Sequence, residues 1–165
     1  MKLAVIAGED QLFLDHNGFD FTSIQKAMKH NQKSKSLRGA STISQQTAKN
    51  VFLWQRGGFF RKALEVYFTF LIEKVWGKKR ILAVYLNVAE TGPGIFGVQA
   101  AAKKYFKTNA INLNRQQAAM IAACLPNPKV FTVIPLSSHV ANRSAWIIRQ
   151  MNNLSTDEDI IDLIY

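Results

Sequence analysis

Cysteine is almost missing from this 165-residue chain: there is one, Cys124, inside the apolar run 118–125. No intrachain disulfide can form, so the fold does not depend on an oxidising compartment. A lone cysteine in such a run reads as a small buried hydrophobe, not a nucleophile. Histidine is also scarce, and His16, His30 and His139 show no metal-ligand spacing with that cysteine. Long apolar runs are absent. The opening Met1–Ala7 stretch reaches Glu9 at once, is far shorter than the ~20 apolar residues of a bilayer span, and makes a poor signal peptide. The expectation is a soluble chain, or a soluble piece of something longer. Acids are few, 11 against 21 Lys and Arg, giving a net charge of +10. That balance favours an anionic partner, whether nucleic acid, a phospholipid surface or a phosphorylated substrate, without choosing among them. Charged residues make up only 19% and hydrophobic residues 48%, which excludes disorder and supplies a core. One domain over residues 1–165 is expected at this length.

What is present is helical periodicity. Apolar residues recur at helix spacing over 21–30, 41–54, 59–76, 79–87, 95–106, 114–125 and from Ser137 or Ser138 to about Leu154. Asp20 or Thr22, Asn114, and Ser137 or Ser138 stand where N-caps belong, and Gly77 where a helix stops. Residues 3–8 fit a helix or an extended segment. The basic stretch 31–39, with Lys33, Lys35 and Arg38, reads as a mobile loop. Thr91–Gly94 reads as a turn, and only 130–134 could form a short strand. Lys78, Lys79 and Arg80 read as a solvated charge cluster at a helix end. The prediction is an all-α domain.

Chemistry concentrates in separate stretches. Residues 9–20 hold Glu9, Asp10, Asp15, His16 and Asp20 among Leu12, Phe13, Leu14 and Phe19. A carboxylate against an apolar wall has its charged form destabilised and suits proton transfer; surface or helix-terminal acids would look the same in one dimension. Residues 39–50 place Ser41, Gln45 and Lys49 on one helix face, with Gln46 and Asn50 beside them. That face fits an anion at a helix N-terminus or simply water, and the spacing is not that of a phosphate loop. Arg61, Lys62 and Glu65 fit a surface ion pair, or a cation and an acid facing a phosphate. The basic residues are spread along the chain with no helix-turn-helix or aromatic-basic stacking motif, so nucleic acid is not expected.

Taken in order, these stretches resemble the peptidoglycan glycosyltransferases, the lysozyme-like transglycosylases found alone or as the first domain of bifunctional penicillin-binding proteins. Glu9, Asp10, Phe13, His16, Gly18 and Asp20 match a first motif. Gly39, Ser41, Thr42, Ile43, Gln45, Gln46, Lys49 and Asn50 match a second, with Ser44 for a threonine. Arg61, Lys62 and Glu65 match a third. Ile81, Leu82, Tyr85, Leu86 and Asn87 match a fourth, with Ala83 for a glutamate. Gly97–Ala102 with Tyr105 and Phe106, and Leu125–Pro128, complete a resemblance over roughly residues 3–150.

The resemblance implies a lysozyme-like fold and polymerisation of lipid II, a disaccharide-pentapeptide on polyprenyl pyrophosphate, into β-1,4-linked glycan by inverting transfer. It implies catalytic roles for Glu9, as base on the acceptor hydroxyl, and for Glu65, near the donor pyrophosphate. Lys49 and Arg61 would neutralise the leaving pyrophosphate. Ser41, Thr42, Gln45, Gln46, Asp10 and Lys62 would complete the substrate-binding set, Asp10 mainly as a support. It admits Mg2+ or Mn2+ as a pyrophosphate clamp, with no metal ligand identifiable in the sequence and no organic cofactor. Its partners would be lipid II and the growing glycan strand, a membrane surface met by the 31–38 loop and by Trp54, Phe59 and Phe60, and other cell-wall synthesis proteins. Its place would be the extracytoplasmic face of the bacterial cytoplasmic membrane, with the family's usual N-terminal transmembrane anchor absent from this sequence. Two rivals stay open: a glycan-cleaving hydrolase or lytic transglycosylase, and a non-catalytic anion- or membrane-binding module.

Overall fold

The computed structural model describes residues 1–34, 39–54 and 57–164. In chain order these form α1 (Lys2–Glu9), α2 (Phe21–Lys33), α3 (Ile43–Phe52), α4 (Phe59–Val75), α5 (Gly77–Val88), β1 (Glu90–Gly92), β2 (Ile95–Phe96), α6 (Val98–Phe106), a 3-10 turn at Ala110–Asn112, α7 (Arg115–Cys124), α8 (Ser138–Leu154) and α9 (Glu158–Ile164). The fold is the all-α one expected, with one small antiparallel hairpin.

Helix α1 is apolar all round. Leu3 to Ala7 are buried without a break, and a helix with no polar face belongs at the centre of a domain. It packs against α7 and α8. α8 offers Val140, Ser144, Ile147 and Met151 as a buried stripe at helix spacing. α7 offers mainly small side chains, Ala118, Ala119, Ala122, Ala123 and Cys124, which let the helices approach closely. Glu9 ends α1, so burying Val5 and Ile6, each worth about 1.5–3 kcal/mol, fixes where that carboxylate stands.

Helices α3, α4 and α5 make a second packed group. α3 buries Ile43, Ser44, Thr47 and Ala48; α4 contributes Thr69 and Ile72; α5 contributes Ile81, Leu82 and Tyr85. The caps are chemical. Asp20 accepts from Ser23 N at 2.8 Å, Thr42 and Gln45 form a capping box on α3, and Asn114 and Gln117 form one on α7.

Several expectations change. The predicted loop at 31–39 begins later, because Asn31–Lys33 continue α2; Lys35, Ser36, Leu37 and Arg38 lie outside the described residues. The helix predicted from Ile95 starts at Val98, since Ile95 and Phe96 pair with Glu90–Gly92 across the Pro93–Gly94 turn, where Gly94 takes φ +70°. The possible strand at 130–134 is irregular structure. The acidic tail holds α9, capped by Asp157 and burying Ile160 and Leu163 against the core. Lys78 is not a solvated end charge. It pairs with Glu73 at 2.7 Å, donates to the His16 carbonyl at 2.6 Å and lies over the Phe13 ring. Ala83 sits in α5 with its carbonyl accepting from Asn87 Nδ2 at 2.7 Å. Cys124 is buried as expected. Burial pushes its thiol up to about 12, and it donates to the Thr91 carbonyl.

Candidate active site

The segment after α1 is tied down by a chain of hydrogen bonds. Asp10 is buried and accepts from His16 Nε2 at 3.0 Å and from Ile43 N, at the start of α3, at 3.0 Å. His16 Nδ1 accepts from Gly18 N, which places the ring proton on Nε2. The Gly18 carbonyl accepts from Thr42 Oγ1 at 2.7 Å. Gly18 has φ +89°, and a Cβ there would stand 2.8 Å from Thr69 Cγ2, so the turn requires glycine. The acids and hydroxyls of the first two motifs thus lock the end of α1 to the start of α3.

That lock brings Glu9 to Gln46. Gln46 Nε2 donates to Glu9 Oε2 at 2.9 Å, and Gln46 Oε1 accepts from the Tyr85 hydroxyl at 3.1 Å. Burial raises the Glu9 carboxyl above the usual carboxylate range. The Gln46 hydrogen bond and the Arg143 and Lys49 charges partly offset this, while Asp10 adds to it.

Gln46 and Tyr85 stand on the wall of a cavity of about 730 Å³, and Glu9 lies one hydrogen bond behind them. Lys49, Asn50, Trp54 and Arg61 carry the same wall onward; Asn87, Glu90, Phe96 and Leu125–Lys129 close the other sides. Lys49 is one turn along α3 from Gln46 and so faces the same way. Arg61 turns one guanidinium nitrogen to Glu65 at 3.4 Å, while its Nε is buried with no partner among the described residues. A buried, unpaired cationic donor beside a cavity calls for an anion or a water. A smaller hollow of about 410 Å³ among Leu14, Asp15, Lys79, Asp159 and Asp162 contains none of the predicted site residues.

The structure therefore gathers Glu9, Gln46, Lys49 and Arg61. It places the other candidates elsewhere. Glu65 is 4% exposed and clasped by Lys62 and Arg61, reaching the cavity only through Arg61. Lys62 is half-exposed and committed to Glu65. Thr42 and Gln45 are buried in the α3 capping box, and Asp10 in the His16–Ile43 contacts. Ser41 is exposed just before α3, its carbonyl accepting weakly from Gln46. Among the residues that sequence reasoning did not assign to the site are Tyr85, Asn87, Glu90, Phe96 and Lys129. Tyr85 and Asn87 did stand in the fourth motif; Phe96 and Lys129 left no signal.

Among the described residues no three acidic, His or Cys side chains converge as a metal-ion set. Glu65, the carboxylate nearest the cationic wall, is already neutralised by two cations.

A family profile described as Transglycosylase matches residues 1–152. The chain is 56% identical over 158 residues to a biosynthetic peptidoglycan transglycosylase of Haemophilus influenzae, an alignment covering 95% of this chain and 64% of that one. It is 57% identical over 155 residues to the Escherichia coli protein of the same name, covering 93% and 64%. The Pseudomonas aeruginosa counterpart is 52% identical over 163 residues, covering 99% and 70%. The chain spans a little under two thirds of the length of the Haemophilus and Escherichia relatives.

Proposed function

The chain belongs to the transglycosylase family, and from that premise we propose that it is a peptidoglycan glycosyltransferase, polymerising lipid II into β-1,4-linked glycan with loss of polyprenyl pyrophosphate. The observation that carries this reading is the pairing of a largely desolvated, amide-held Glu9 with a cationic wall whose Arg61 Nε has no partner among the described residues. A hydrolase needs the carboxyl; it has no use for the Lys49–Arg61 wall.

In this reading Glu9 takes the proton from the 4-hydroxyl of the acceptor sugar as that oxygen attacks C1 of the donor. The bond from C1 to the pyrophosphate oxygen breaks from the opposite face, so an α-linked donor gives a β-linked product. A carboxyl raised toward neutrality is a better proton acceptor than an ordinary one. Lys49 acts as a point charge and Arg61 as a planar donor on the departing pyrophosphate. Glu65 orients Arg61, and Lys62 balances Glu65. Mg2+ or Mn2+ would enter only as counter-ion of the pyrophosphate, and no step here depends on it.

The same reading places the protein at the extracytoplasmic face of the cytoplasmic membrane, with lipid II, the growing strand and other cell-wall synthesis proteins as partners. No helix among the described residues is long and apolar enough to cross a membrane. Membrane contact would fall to Trp54, Phe59, Phe60, Tyr67 and Phe70, all exposed on or next to α4. Aromatic side chains of this kind sit well at a headgroup boundary.

The test is direction. Purified protein given labelled lipid II lengthens it into glycan and leaves finished glycan intact. Release of sugars from finished glycan, without polymerisation, would assign the site to a lytic enzyme instead.

A further inference from the structure

We infer that Tyr85 is a positioning residue for Glu9: its hydroxyl anchors the Gln46 amide that donates to the Glu9 carboxylate. This rests on the reading of Glu9 as the base.

The argument runs from donor and acceptor inventories. An ionised carboxylate can only accept, so the Gln46 atom facing Glu9 Oε2 at 2.9 Å has to be the amide nitrogen. The amide oxygen then faces Tyr85, and an oxygen that cannot donate makes the phenol the donor, at 3.1 Å. Donation therefore runs one way, from Tyr85 to Gln46 to Glu9. Tyr85 is 1% exposed at the cavity wall, and a phenol so buried keeps a hydrogen-bond partner. Burial also pushes the phenol well above its usual ionisation range, with Glu9 adding to the effect, so it stays a donor at any working pH.

The Glu9 carboxylate and the Ser41 carbonyl, both acceptors, orient the Gln46 amide, while the phenol anchors the amide oxygen and polarises its N–H groups. Without the phenol the amide oxygen loses its anchor and the hydrogen bond to the ionised carboxylate weakens. Glu9 Oε2 is held by the amide. Neither Tyr85 nor its hydrogen bond takes part in bond making; it acts through Gln46.

The test titrates Glu9 directly, by carbon-13 NMR of the side-chain carboxyl in glutamate-labelled protein, with Glu9→Gln assigning the signal. A hydrogen bond to a charged group corresponds to a shift of about one pH unit. Gln46→Met moves the Glu9 midpoint up by about that much. Tyr85→Phe moves it the same way by roughly half as much or more, and adds nothing in the Gln46→Met background. In the polymerisation assay, the acid limb of the Tyr85→Phe pH profile shifts upward equally and the rate recovers above it. A tyrosine that only fills space would lower the rate at every pH and leave the midpoint in place; an unmoved midpoint in Tyr85→Phe overturns the inference. A midpoint that moves without a matching shift in the rate profile upholds the Tyr85 role and overturns Glu9 as the base.

Discussion

Glu9 carries its charge where burial disfavours it, and that has a consequence for stability as well as catalysis. Its carboxyl is raised in the folded protein, burial being the largest cause. Between the ordinary carboxylate value and the raised one, the folded chain binds more protons than the unfolded chain, so stability falls as pH rises through that window. Glu9→Gln keeps an acceptor for Gln46 and removes the buried charge. It therefore melts above the wild type at pH 7, an advantage that shrinks as pH falls toward 4; thermal melts across that range check it, and an advantage independent of pH would contradict it. Arg61→Met removes a donor that has no partner among the described residues and leaves Glu65 paired with Lys62. Turnover falls on the order of 100-fold while the protein stays folded, which initial rates beside circular dichroism would show. At this scale the candidacy of Glu9 was legible, because acids beside Leu12 and Phe13 are uncommon in one stretch. Thr42 and Gln45 cap α3 in the structure, a role the sequence could not separate from substrate donation because a helix cap and an anion site use the same side chains. Tyr85 was hidden, since nothing in an apolar helix pattern says where a hydroxyl finds its partner.

Between elements, the site depends on joints made by polar residues. Asp10, His16, Gly18 and Thr42 join α1 to α3, and Lys78 joins α5 to the same turn while neutralising Glu73, which also accepts from Ser44. Thr42→Ala removes the α3 cap and the bond to Gly18 together and destabilises by about 1–2 kcal/mol. Lys78→Met leaves Glu73 in a largely buried place with only the Ser44 hydroxyl and destabilises by about 2 kcal/mol. Urea unfolding of both variants measures these losses; no change in the Lys78 variant would mean that the pair is solvent-screened. Helix positions followed from periodicity with good fidelity where α4, α7 and α8 carry long apolar stripes, whereas the all-apolar α1 fitted a helix or an extended segment equally well. The charge run at Lys78 misled, since its partner at His16 is 62 residues away. α9 escaped because Ile160 and Leu163 make only a short apolar pattern among acids.

For the whole molecule, one helix group around α1 and another around α3, α4 and α5 meet so that Glu9 comes from the first and Lys49 and Arg61 from the second. The outer side of α4 leaves Phe59 97% exposed, with Phe60, Tyr67 and Phe70 also open. Replacing Phe59 and Phe60 together with serine weakens binding to anionic phospholipid vesicles by about tenfold or more, read by co-sedimentation; unchanged binding would move the membrane contact elsewhere. The central claim, that Glu9 is the base of a glycan-polymerising site, meets its most direct test in the initial rate of labelled lipid II polymerisation by the wild type and by folded Glu9→Gln. The wild type is predicted to build glycan, and the variant to lose about 100-fold to 10,000-fold of that rate; a variant that polymerises at near wild-type rate would contradict the account.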